Sequence, residues 1–120
     1  MALNIVGGSV SPSTALTLNA QTGTTYTFVL TDANNTLVTA SNASAQTYTI
    51  PPNSSVAYPI GSQINIIAIG AGQVSFAQGS GVTIASNGAT STAPKLRVQY
   101  SSASAVKVNT DSWYVIGDIS

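Results

Sequence analysis

The residues able to do acid, base or ionic chemistry are few: Asp32, Lys95, Arg97, Lys107, Asp111 and Asp118 are the six charged positions of 120, and the chain has no His, no Cys and no Glu. Two carboxylates flanking a sugar are what glycoside hydrolysis needs, and Asp111 and Asp118 are the nearest pair in sequence. At a rise of about 3.3 Å per residue, a strand between them holds them too far apart to share one sugar. Asp111 lies in an Asn-Thr-Asp-Ser turn, where a short acidic side chain bonds local backbone. Asp32-Ala33-Asn34-Asn35 opens like a calcium loop but lacks the Gly and Glu that complete one, so an Asx-type hairpin turn is expected. Ser and Thr are abundant, 17 and 15 residues, yet without a His or a suitably placed Lys none is an activated nucleophile. Gly70 and Gly79 are not followed by the Lys-Ser/Thr of a phosphate-binding loop. Asn34, Asn42 and Asn53 each begin an Asn-x-Ser/Thr triplet and mark surface loops. The expectation is a protein without catalytic activity, cofactor or metal.

Such a surface is kept wet by hydroxyls and amides rather than ions, since only 5% of residues are charged. Net charge is zero, so no basic stripe is available for phosphates and no nucleic acid partner is expected. The longest strictly apolar run, Ile66 to Ile69, is too short to cross a bilayer, and no membrane insertion is expected. The first ten residues lack the charged and long apolar regions of a secretory signal, and synthesis as a soluble chain is expected.

The elements that position these residues read as strands. Apolar side chains recur with period two at Tyr26, Phe28 and Leu30, at Ile64, Ile66 and Ala68, at Val74 and Phe76, at Val82 and Ile84, and at Leu96, Val98 and Tyr100. Val106 and Val108, a turn at Asn109 to Asp111, and the run Trp113 to Ile116 read as a closing hairpin. Gly70-Ala71-Gly72 has the composition of a tight hairpin loop with a positive φ, and Ser101 to Ala105 reads as a hairpin loop, with a short helical turn as the alternative. No helical periodicity is sustained. The expected fold class is all-β, an antiparallel β-sandwich or jelly-roll-like barrel of about eight to ten short strands with an extended N-terminal arm. Residues 1–23 form an arm or first strand, and residues 24–120 a single β-sandwich domain. An apolar arm carrying Leu3, Ile5 and Val6 is a candidate for reaching a neighbouring subunit or shell.

The segment from Pro51 to Phe76 is the most specific text in the chain. Pro51 and Pro52 stiffen an approach, Gly61 follows Tyr58-Pro59-Ile60 in a turn, and Gly70 and Gly72 bracket Ala71 before Val74. With Tyr26 to Asp32 upstream, and with Leu96 to Tyr100, Val106 to Val108 and Trp113 to Asp118 downstream, this order resembles a module of tailed-phage virion structural proteins. That group includes head fibres, tail fibres and capsid decoration proteins. The short stretch ahead of the module favours a decoration (cement) protein over a fibre tip. The resemblance implies a homotrimer on the capsid exterior, assembled in the host cytoplasm, bound to the major capsid protein and stabilising the shell. The alternative it leaves open is a receptor- or glycan-binding fibre head, with a host-surface glycan as partner. Trp113 and Tyr114 are adjacent in a strand and face opposite ways, so Trp113 is expected in the core and Tyr114 on a contact face. Tyr48 and Tyr58 are further candidates for an interface or a glycan.

Overall fold

Val, Ile and Thr are stiff at χ1, and Ser, Thr and Asn compete with helical backbone bonds, so this composition favours extended chain. The computed structural model describes residues 15–120. Nine strands run through them: β1 Thr17–Gln21, β2 Thr25–Thr27, β3 Thr36–Ala40, β4 Gln46–Ile50, β5 Gln63–Ala68, β6 Val74–Gln78, β7 Thr83–Ala85, β8 Ser102–Asn109 and β9 Ser112–Gly117. A four-residue 3-10 helix, Leu30–Ala33, interrupts the alternation that began at Tyr26. The fold is all-β, with mixed sheets.

The strands form a six-stranded sheet in the order β1-β3-β5-β8-β9-β7 and a three-stranded sheet in the order β2-β4-β6. The chain visits the sheets alternately, so β1 with β2, β3 with β4, and β5 with β6 are three successive windings. They stack in parallel register, with Asn19, Val38 and Ile66 aligned in one sheet and Tyr26, Tyr48 and Phe76 in the other. The expected antiparallel arrangement is corrected here, because five of the seven strand pairs are parallel. Only β5 with β8 and β8 with β9 are antiparallel. A parallel neighbour needs a crossover, and here the crossover is the passage through the opposite sheet.

Gly70-Ala71-Gly72 is therefore a corner between sheets and not a hairpin loop. Neither glycine has a positive φ, whereas Gly61, at φ 92°, does. Gly61 turns the chain into β5, and its N–H donates to the Lys107 carbonyl at 2.8 Å. Pro51 is buried and Pro52 half-buried directly after β4. The β8–β9 hairpin forms as expected. Ser101 to Ala105 is mostly strand, inside β8, rather than a loop. The run Leu96 to Tyr100 makes only an isolated bridge, Leu96 with Ile119, and Tyr100 sits at φ 70°.

The core lies between the two sheets. Phe28, Tyr48 and Phe76 form a tilted ring stack with centroids 5.7 and 6.3 Å apart, joined by Tyr26 edge-on to Phe28. Val38, Ile64, Ile66, Val74 and Val115 fill the space around them, each stabilising by about 1.5–3 kcal/mol when fully buried. One end of the stack is covered: residues 94–96 lie along β6, with Phe76 N–H donating to Pro94 O and Leu96 N–H to Val74 O, both at 2.9 Å. At the other end, among the described residues, β1 and β2 each have a strand neighbour on one side only.

Candidate functional site

Strand alternation gives the six-stranded sheet an inner and an outer face. Inward go Val38 and Ala40, Ile64 and Ile66, Ala103 and Ala105, Trp113 and Val115. Outward, register aligns Leu18, Leu37, Asn65, Ser104 and Ile116 in one row across five strands. A second row runs Gln63, Val106, Tyr114 and Ala85. The only charged residue in these six strands, Lys107, points inward and is 2% exposed. The outer face is thus free of charge. At about 4.8 Å between strands it is about 24 Å wide.

Three outward side chains are notably open to solvent: Leu18 at 67%, Ile116 at 60% and Tyr114 at 55%. Between the apolar flanks lies an amide and hydroxyl patch. Ser104 Oγ donates to Asn65 Oδ1 at 2.6 Å, and Gln63 Nε2 donates to the same oxygen at 2.9 Å. At the margin, Arg97 clasps Asp118 through Nε at 2.7 Å and a terminal nitrogen at 3.1 Å, while Ser101 Oγ donates to Asp118 at 2.6 Å. The Arg97 guanidinium, then the Ser101 hydroxyl, hold the Asp118 carboxyl below its ordinary range. This exposed clasp ties the Arg97–Ser101 turn to the end of β9.

The open end of the stack carries a polar cleft of about 530 Å³ lined by Asn19, Gln21, Tyr26 and Asp32, among others. Asp32, in the 3-10 helix, is 1% exposed, not in the hairpin turn that its neighbours suggested. Its carboxylate accepts from Asn19 Nδ2 at 2.8 Å, from Tyr26 OH at 2.7 Å and from Val29 N–H at 2.9 Å. Gln21 Nε2 in turn donates to Asn19 Oδ1. Burial first, and the Asp32 hydrogen bond second, push the Tyr26 phenol up to about 12. Three charge-assisted hydrogen bonds make this a structural anchor between β1 and the 3-10 helix.

Of the residues singled out from sequence, Tyr114 lies on the charge-free face, and Leu3, Ile5 and Val6 lie outside the described residues. Pro51, Pro52, Gly61, Gly70 and Gly72 shape corners and loops and do not converge on one place. Tyr48 and Tyr58, read as surface aromatics, are buried at 0% and 3%. Leu18, Leu37 and Ile116 share the outer face and were not singled out from sequence; Leu37 and Ile116 each adjoin an inward valine, Val38 and Val115, which hides their direction. Comparison of the chain with protein-family models, curated proteins and solved structures gives no match.

Proposed function

We propose that this protein is a tailed-phage capsid decoration protein, a homotrimer seated on the capsid exterior that binds the major capsid protein and clamps the shell against internal pressure. The observation that carries the reading is the wide, charge-free outer face of the six-stranded sheet, with Leu18, Tyr114 and Ile116 exposed on it. An uncharged apolar and amide face associates by burial and hydrogen bonds, so its contacts depend weakly on salt. In this reading the two sheets are the layers of a sandwich, copies of the chain meet through the six-stranded layer, and residues 1–10 grip the shell.

Two experiments test it. Replacing Tyr114 and Ile116 together by lysine forces charge into the shared face, and burying an unpaired charge is costly enough that association weakens by at least about 100-fold. Sedimentation equilibrium is expected to show a wild-type trimer and a folded monomeric variant; a trimeric variant overturns the assigned face. Deleting residues 1–10 is expected to abolish rebinding to capsids stripped of the protein while the circular dichroism spectrum stays unchanged. Rebinding at wild-type occupancy removes the arm from the reading.

The polar cleft at the open end favours one second reading, a glycan-binding fibre head, since the Asn19 and Gln21 amides and the Tyr26 phenol that line it suit sugar hydroxyls. A glycan array without hits above background sinks it.

A further inference from the structure

Lys107 is a cation in the wrong place for a plain salt bridge. Its side chain points into the core from β8 and is 2% exposed. Its ammonium donates to two neutral oxygens, Asn53 Oδ1 and the Tyr58 carbonyl, both at 2.7 Å. The ion pair present among the described residues is Arg97 with Asp118, at the surface, so Lys107 has no carboxylate directly against it. An ammonium offers three donors, and burial without an opposite charge is costly. Asn53 is held at both ends: its side-chain oxygen by Lys107, and its backbone N–H by donation to Asp111 Oδ1 at 2.8 Å.

We propose that Lys107 and Asn53 condense into an intramolecular isopeptide bond. The Asn53 Cγ is one C=O bond, about 1.2 Å, beyond the oxygen that Lys107 already touches, which leaves Nζ within about 4 Å of the carbon it attacks. A near-attack separation of about 3–3.5 Å needs only a small rotation of either side chain, and holding both partners in place makes the step unimolecular. An ammonium has no lone pair, so one proton passes first from Nζ to the Asn53 carboxamide; the freed Nζ lone pair then bonds to Cγ, the second proton follows to Nδ2, and the Cγ–Nδ2 bond breaks. Lysine ammonium plus carboxamide thus becomes a secondary amide plus an ammonium ion, with no oxidant or other reagent. The buried charge leaves with the product. Trp113 lies opposite Lys107 in the β8–β9 register, and its ring meets Tyr58 edge-on at 5.2 Å. Lys107, at 2% exposure, is thus packed beside this ring pair, and its buried bond to the Tyr58 carbonyl keeps the amine in place against the carboxamide. The bond joins positions 54 residues apart, strapping the loop after β4 to the hairpin that follows the three windings.

Intact mass spectrometry of the wild-type chain decides the matter. The expected mass is about 17 Da below that of the sequence, the loss of one ammonia. Trypsin is expected to stop cutting after Lys107, and the peptide containing Asn53 to be recovered joined to the one containing Lys107. Lys107→Met and Asn53→Ala are each expected to restore the full mass; if either fails to fold, the wild-type mass and digest still decide. A wild-type chain at full mass overturns the proposal. So does a chain that has lost ammonia but is still cut after Lys107, because that is the signature of a succinimide at Asn53.

Discussion

Gly72→Ala is expected to remove a large share of the stability of the fold. A Cβ built at position 72 would lie 1.9 Å from the Ser44 carbonyl oxygen and 2.7 Å from that of Asn42. Both obstacles are backbone, so no side chain can swing aside. Residues 70–73 form the corner between β5 and β6, and residues 41–45 the corner between β3 and β4, one winding earlier. The two corners are laced together: Gly72 N–H donates to Asn42 O at 2.8 Å and Gln46 N–H donates to Gln73 O at 2.9 Å. Gln46, at 1% exposure, also spans them, donating from Nε2 to Asn42 O and Gly72 O at 3.3 Å each. Making room for a methyl group separates the corners and strands these groups.

Overpacking costs about 1–3 kcal/mol, and each buried group left without its partner about 1–3 kcal/mol more. A total of about 3–5 kcal/mol is a large share of the ~5–15 kcal/mol that holds a domain together. Urea unfolding followed by circular dichroism measures it. Gly61→Ala is the control: its Cβ meets nothing within 4 Å, but φ is 92°. That change is expected to cost about 1–2 kcal/mol, the penalty for an L-residue in the left-handed region. A Gly72→Ala protein within about 1 kcal/mol of wild type would mean that the windings are not stacked as described.

That same glycine shows where the sequence stopped being readable. Gly70-Ala71-Gly72 between two alternating runs carries the signature of a hairpin, because glycine marks tight turns. Here the requirement is close approach of two backbones, which depends on a corner some 30 residues away and leaves no local trace. Alternation reports which side chains share a face, not which strand lies alongside. Ile64, Ile66 and Ala68 were therefore legible as one inward face, while the parallel neighbours β3 and β1 were not. In β8 the hydrophobic pattern inverts: Ala103, Ala105 and Lys107 point inward, and Val106 and Val108 outward. Small alanines fit opposite the large Ile64, Ile66 and Val115, and the valines join the outer face. A face that is apolar on the outside erases the contrast on which strand reading depends. This is why the outward direction of Tyr114, next to the large Trp113, was legible and that of Ile116 was not. Lys107 escaped for the opposite reason, since a single charge in a charge-poor chain reads as surface. Only the tertiary placement of Asn53 and Tyr58 gives it partners inside.

Replacing Trp113 by Ala is expected to be the most damaging side-chain truncation in the domain, and the neighbouring position sharpens the test. Trp113 is 1% exposed, pairs with Ile84 of β7 on one side and stands opposite Lys107 of β8 on the other. Its edge-on contact holds Tyr58, whose hydroxyl donates to Val29 O at 2.7 Å and whose carbonyl accepts from Lys107. Truncating a buried tryptophan costs about 3–5 kcal/mol, and the ring pair adds about 0.5–1.5 kcal/mol. Phenylalanine at 113 keeps the edge-on contact and should recover more than half of that loss. Trp113 is the only tryptophan in the chain, so unfolding has to be followed by circular dichroism rather than by fluorescence. Tyr114→Ala, one residue along the strand but on the outer face, is expected to change the stability of the isolated subunit by no more than about 0.5 kcal/mol. The two substitutions remove large aromatic side chains from opposite faces of one strand, so the contrast between them reports which way β9 faces. Equal losses at 113 and 114 would mean that β9 does not present Trp113 to the core, and would remove the ring that stands opposite Lys107.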